Sequence, residues 1–221
     1  MPVKERVILD SRVPWAEIMS NARSHGVIVW ITGLSGAGKT SVATGLCAEL
    51  VSRGVDADVL DGDVMRHHIS HGLDFSREGR EENIRRIGFV AQLLAKHGII
   101  AIVSAISPYR AVRDELRAGS GGRFFEVYMS TPLNVCEQRD QKGLYRRARA
   151  GELHQFTGID DPYEPPLTPE IRCSAEHEPV DRLVDAILQS LLPRLGHSGV
   201  KEAAPSRRII NTMRPADKPS R

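Results

Sequence analysis

Short apolar runs rich in branched residues alternate along this chain with longer stretches whose apolar positions recur every three or four residues. Val27 to Thr32 (VIVWIT) has no polar alternation, the pattern of a strand buried on both faces, and it runs straight into glycine. From Lys39 to Arg53, the residues Val42, Leu46, Leu50 and Val51 fall at helical spacing, and Gly54 supplies a stop. Asp58 to Asp61 predicts a second strand, which ends at the carboxylates Asp61 and Asp63 on either side of Gly62. Ile84, Ile87, Val90, Ala91 and Leu94 mark one face of a helix over Arg77 to His97, and Gly98 closes it before the apolar strand Ile99 to Val103. Pro108 opens a further helix toward Arg117, Phe124 to Met129 predicts a strand, and Pro132 suits the first turn of a helix through Arg139. Val180, Leu183, Val184, Ile187, Leu191 and Leu192 mark the last helix, over Pro179 to Leu195. The order β-α-β-α-β-α-β-α predicts an α/β fold with a mainly parallel sheet covered by helices on both faces.

Three stretches fall outside this rhythm. Asp140 to Pro169 mixes Gly, Pro, Tyr and basic residues without sustained periodicity, which predicts a lid or binding loop over about residues 139–168. Gly196 to Arg221 is rich in Ser, Pro, Lys and Arg and predicts a mobile tail. Residues 1–26 form an N-terminal extension in which Trp15 suggests one docking contact. One domain over residues 27–195 remains.

Composition narrows the classes of function. The 221 residues are 41% hydrophobic and 26% charged, an ordinary balance for a globular chain. A formal charge of +2 gives no reason to expect a nucleic-acid polymer or a membrane surface as partner. Cys47, Cys136 and Cys173 lack CxxC spacing, so a disulfide framework or zinc site is disfavoured and a reducing cytoplasm is expected. No apolar run approaches the roughly 20 residues that span a bilayer, and the charged N-terminus does not read as a signal peptide.

The chemistry starts at Gly33-Leu34-Ser35-Gly36-Ala37-Gly38-Lys39-Thr40, which matches GxxxxGK[ST] between a predicted strand and a predicted helix. Glycines let the backbone wrap phosphates closely, and the helix N-terminus favours anions. Lys39 is expected at the β and γ phosphates of ATP, and Thr40 offers a hydroxyl to Mg²⁺. Asp61 and Asp63, at a strand's C-terminal end, can divide the work of metal holding and of facing the attacking hydroxyl. Asp61 is assigned to the metal and Asp63 to the acceptor; the rival reading of Asp-Gly is a solvated turn. His67 and His71 are four apart, yet no further ligand pattern follows, so surface histidines are favoured over a metal site.

Beyond the P-loop, DGDVMR (61–66), LDFSREGREENIRR (73–86), ISPYR (106–110), RDQKGLYRRAR (139–149) and FTGIDDPYE (156–164) follow in order. Together these make the stretch from Val27 to Leu192 resemble adenylylsulfate kinases, which phosphorylate the 3′-hydroxyl of adenosine 5′-phosphosulfate (APS) with ATP. The resemblance implies catalytic roles for Lys39, Asp61, Asp63 and Ser107, and Phe75 and Phe156 stacked on the two faces of the acceptor adenine. It further implies acceptor contacts by Arg66, Arg80, Asn83, Ile106, Ser107, and by Lys142, Gly143 and Leu144 of the lid. A homodimer is implied as well. Ser107 has been labelled a phosphoserine intermediate in this family; direct in-line transfer needs none, and Ser107 is read here as positioning the substrate. Arg139, Arg146 and Arg149 add positive charge to the lid.

The chain departs from the family where Leu73-Asp74-Phe75-Ser76 stands in place of LGFS. A carboxylate there weakens binding of an anionic acceptor unless it points away. IRCSA at Ile171 to Ala175 lacks a threonine often found near the ATP base, leaving donor-base contacts unassigned. No attached ATP sulfurylase domain is present, so a single activity is expected. Two other readings stay open: a 3′-kinase for another 5′-substituted nucleotide, and a non-catalytic P-loop module.

Overall fold

The computed structural model describes residues 26–196. The expectations for the N-terminal extension and the tail, Trp15 included, lie outside them apart from Gly26 and Gly196. The strands are β1 (Ile28–Gly33), β2 (Ala57–Asp61), β3 (Ile100–Ser104), β4 (Phe124–Met129) and β5 (Ile171–Cys173). The helices are α1 (Lys39–Ser52), α2 (Gly62–Ile69), α3 (Arg77–Lys96), α4 (Arg110–Gly119), α5 (Leu133–Arg139), α6 (Leu144–Arg149) and α7 (Val180–Gly196).

All strand pairs are parallel, in the order β2-β3-β1-β4-β5, with Ile28 beside Ala101 on one side and Phe124 on the other. The first strand in the chain thus lies in the middle of the sheet. Its side chains alternate between two separate apolar clusters. Val29 and Ile31 face one, with Ile100, Ile102, Phe125 and Val127, under α1 and α7. Ile28 and Trp30 face the other, with Ala101, Val103 and Phe124, under α3 and α4. Burial on both faces is why the run VIVWIT lacks polar alternation.

Because the strands are parallel, their C-terminal ends share one edge of the sheet, where open α/β sheets bind ligands. The predicted strands and long helices appear within one or two residues of their expected bounds. Three short elements add to them. α2 follows β2 directly because Asp61 caps it, accepting from the backbone N–H groups of Asp63 and Val64. β5 pairs with β4 at the sheet's edge, and α6 lies inside the expected lid, entered through Gly143 at φ 66°. Residues 155–164 are held to the body: Arg80 donates to Thr157 Oγ1 at 2.8 Å, and Tyr109 donates to the Asp161 carboxylate at 3.0 Å. The expected lid is therefore two unlike pieces.

Candidate active site

A cleft of about 570 Å³ lies along the C-terminal edge of the sheet. One wall is the P-loop. Ser35, Gly36, Gly38, Lys39, Thr40 and Ser41 line it, while Gly33, Leu34 and Ala37 shape the loop from behind. The carbonyls of Leu34, Ser35 and Ala37 accept from Lys39 Nζ (2.7 Å), Tyr145 Oη (2.9 Å) and Thr131 Oγ1 (3.1 Å). Thr131 lies outside the cleft lining, and across a planar trans peptide the next N–H points the opposite way, so the N–H of Gly38 turns toward the cleft. Gly36 has φ 74°, and a Cβ there would meet the Cys136 carbonyl at 3.0 Å, so both conformation and space call for glycine. Burial lowers the pKa of Lys39 to about 8.

Thr40 Oγ1 lies 3.0 Å from Asp61 Oδ2 and 3.3 Å from Ser104 Oγ. Asp61 uses its other oxygen to cap α2. Hydroxyls and a carboxylate are hard oxygen donors, and this set fits Mg²⁺ beside nucleotide phosphates. Ser104, the last residue of a buried strand, carried no mark in the sequence apart from being polar in an apolar run.

The facing wall is made of side chains. Asp63 forms an ion pair with Lys142, which raises the Lys142 pKa through that hydrogen bond. Phe75 is exposed, and the Arg66 guanidinium lies 4.1 Å from its ring centroid. Arg66 donates to the carbonyls of Leu73 (2.9 Å) and Asp74, and Arg80 to the carbonyls of Phe75 (2.7 Å) and Gln155. Asn83 is buried at the cleft's edge with Oδ1 unpartnered by any protein group. That atom is one of the site's few free polar positions, suited to a ligand hydrogen bond.

Other expected residues take different positions. Ser107 is buried, and its hydroxyl accepts from Trp30 Nε1 and contacts Thr32 Oγ1, both at 3.0 Å. This arrangement ties down the hydroxyl and leaves the Ile106–Ser107 backbone as the cleft-lining feature. Phe156 packs edge-to-face on Tyr145 in the first apolar cluster, outside the cleft lining, as are Gly143 and Leu144. Arg149 pairs with Glu137, whereas Arg139 lines the cleft and donates to the Ala175 carbonyl. His71 lies beyond the end of α2, so it shares no helix face with His67. The carboxylate of Asp74 accepts from Ser76 Oγ (2.6 Å) and Ser76 N (3.2 Å), at the start of α3 and away from the cleft lining. These bonds hold its pKa below the usual carboxylate value. Ala175, Glu178, Pro179 and Val180 close the donor end, where the sequence left contacts unassigned.

The family model for adenylylsulphate kinase matches residues 25–174. The adenylyl-sulfate kinase of Synechococcus sp. strain JA-2-3B'a(2-13) is 56% identical over 170 residues, 77% of this chain and 97% of its own. The APS kinase of Mycobacterium tuberculosis, solved in complex with AMPPNP and APS, is similar with TM-score 0.72 and 46% identity, covering 76% of this chain and 98% of that one. Shikimate kinase from Acinetobacter baumannii, at 21% identity and TM-score 0.53 over 79% of this chain and 98% of its own, shares the fold.

Proposed function

The chain belongs to the adenylylsulphate kinase family, and from that membership we propose how its residues transfer the γ-phosphate of ATP to the 3′-hydroxyl of adenosine 5′-phosphosulfate. The observation that carries this reading is a single cleft lined on one side by the P-loop and on the other by Asp63, Arg66, Phe75, Arg80, Asn83 and Lys142. The P-loop amides and Lys39 hold the ATP phosphates. Thr40 and Asp61 would hold Mg²⁺, with Ser104 beside them. Bound there, the ion would supply charge neutralisation at the phosphates.

Phe75 stacks on the acceptor adenine, while Arg66, Arg80 and Asn83 bind the rest of the acceptor, with guanidinium groups suited to its anionic end. Asp63 faces the 3′-hydroxyl. As O3′ bonds to the γ-phosphorus, the bond from that phosphorus to the ADP oxygen breaks, and the hydroxyl proton passes to Asp63. Lys142 orients the Asp63 carboxylate from the lid. The tied Ser107 hydroxyl supports direct transfer. The turned-away carboxylate of Asp74 supports an unaltered acceptor.

The reading extends to a homodimer in a reducing cytoplasm. Exposed Phe89 and Leu93, one turn apart on α3, offer apolar surface to a second copy, and Cys47, Cys136 and Cys173 are free thiols. Sedimentation of the purified chain tests the dimer. Incubation with APS and MgATP tests the activity; a folded protein that forms no 3′-phosphorylated product refutes it. Asp63→Ala is expected to lower kcat about 1,000-fold with ATP affinity retained, measured by single-turnover assay and calorimetry.

A further inference from the structure

Arg113 lies on α4, outside the cleft lining, and is 1% exposed. Each of its guanidinium nitrogens has an acceptor. Nε donates to Glu126 Oε1 at 2.9 Å, one terminal nitrogen donates to the Ser107 carbonyl, and the other donates to the Glu164 carbonyl at 2.6 Å. Glu126 is buried as well and takes Arg117 on its second oxygen at 3.1 Å. Replacing such a buried pair by apolar side chains is often neutral or stabilising, so stability alone gives little reason for it.

Its geometry gives a better one. Ser107 has φ 41°, a left-handed conformation that serine rarely adopts and that surrounding contacts must maintain. Glu164 closes the stapled segment beside it, donating its backbone N–H to the Pro108 carbonyl at 2.8 Å and accepting the Arg110 N–H at 2.8 Å. Thr32 Oγ1 in turn donates to the Ile106 carbonyl at 2.7 Å and meets the Tyr163 hydroxyl at 2.9 Å. The stretch Ile106–Pro108, which lines the cleft, is thus held from behind by one buried planar fork and one threonine.

We propose that Arg113 is a positioning residue for the acceptor substrate, locking the Ile106–Ser107 backbone to Glu164 so that its loss weakens acceptor binding and spares ATP binding. The identity of the acceptor rests on the function proposed above; the locking itself does not. Arg113→Lys keeps a charge beside Glu126 and gives up the fork. KM for APS and for MgATP are measured separately, with the thermal midpoint. The indole N–H resonance of Trp30, which donates to Ser107 Oγ, is followed in a Trp15→Phe background.

The expected result is an APS KM raised about tenfold, a MgATP KM changed by less than about twofold, and a shifted Trp30 resonance. Arg117→Met interrupts the same ion network without touching either carbonyl, and is expected to lower the thermal midpoint with both KM values unchanged. Should Arg113→Lys fail to fold, Arg113→Met with Glu126→Met removes the pair as a unit and is read the same way. An unchanged APS KM in a folded variant, equal rises in both KM values, or an unmoved Trp30 resonance overturns the proposal. A parent protein that does not phosphorylate APS defeats the functional reading instead, and the Trp30 resonance, which needs no substrate, then decides the locking.

Discussion

The two walls of the cleft are built on opposite principles. The P-loop wall, proposed above for the donor, is built from eight consecutive residues, Gly33 to Thr40, whose carbonyls are taken up by Lys39, Tyr145 and Thr131. The facing wall, proposed above for the acceptor, gathers Asp63, Phe75, Arg80, Asn83 and Lys142 from distant parts of the chain, and its side chains hold one another. Arg66 lies against Phe75 and on the carbonyls of Leu73 and Asp74; Arg80 reaches Phe75, Gln155 and Thr157. A backbone site is damaged by adding an atom, a side-chain site by removing one.

That contrast sets the expected order of effects. Phe75→Ala takes away a stacking face, and APS KM is expected to rise about thirtyfold, equivalent to about 2 kcal/mol, with MgATP KM unchanged. Equal loss for both substrates in steady-state kinetics would collapse the distinction. Gly36→Ala adds one carbon at φ 74° against the Cys136 carbonyl. MgATP KM is expected to rise about tenfold while APS binding, followed by calorimetry, holds. Asp74→Gly gives the smallest effect and the sharpest sign. If the carboxylate serves the Ser76 turn, APS KM rises slightly; if it repels the acceptor, APS KM falls. Asp74→Asn keeps the turn acceptor and is expected to leave APS KM at the parent value.

The P-loop wall was legible as a loop between strand and helix because contiguous backbone chemistry leaves a contiguous signature. That these side chains share a cleft was suggested only by family resemblance, since nothing in EENIRR distinguishes Asn83, at a cleft, from Arg86, which pairs with Glu82 on the helix surface. Short elements escaped for local reasons. α2 begins at Asp-Gly, a turn pair, and its start depends on Asp61 capping it; β5 is three residues long, too short for a periodic pattern. Phe156, expected on an adenine, has its ring edge-to-face with Tyr145. Its position in a polar loop carried no sign that the loop would fold back and bury it. The anchoring of the Ser107 hydroxyl was not legible because its partner, Trp30, is 77 residues away.

The sheet that separates the two apolar clusters has an evolutionary consequence. Ala37 of the P-loop, α1 and α7 belong to one cluster; α3 and α4, which carry Arg80, Asn83 and Arg113, rest on the other. Arg80, Asn83 and Arg113 are thus carried on helices that do not pack in the cluster under the P-loop. With the roles proposed above, a lineage that drifts in α3 and α4 is expected to change its acceptor before its grip on the nucleotide donor.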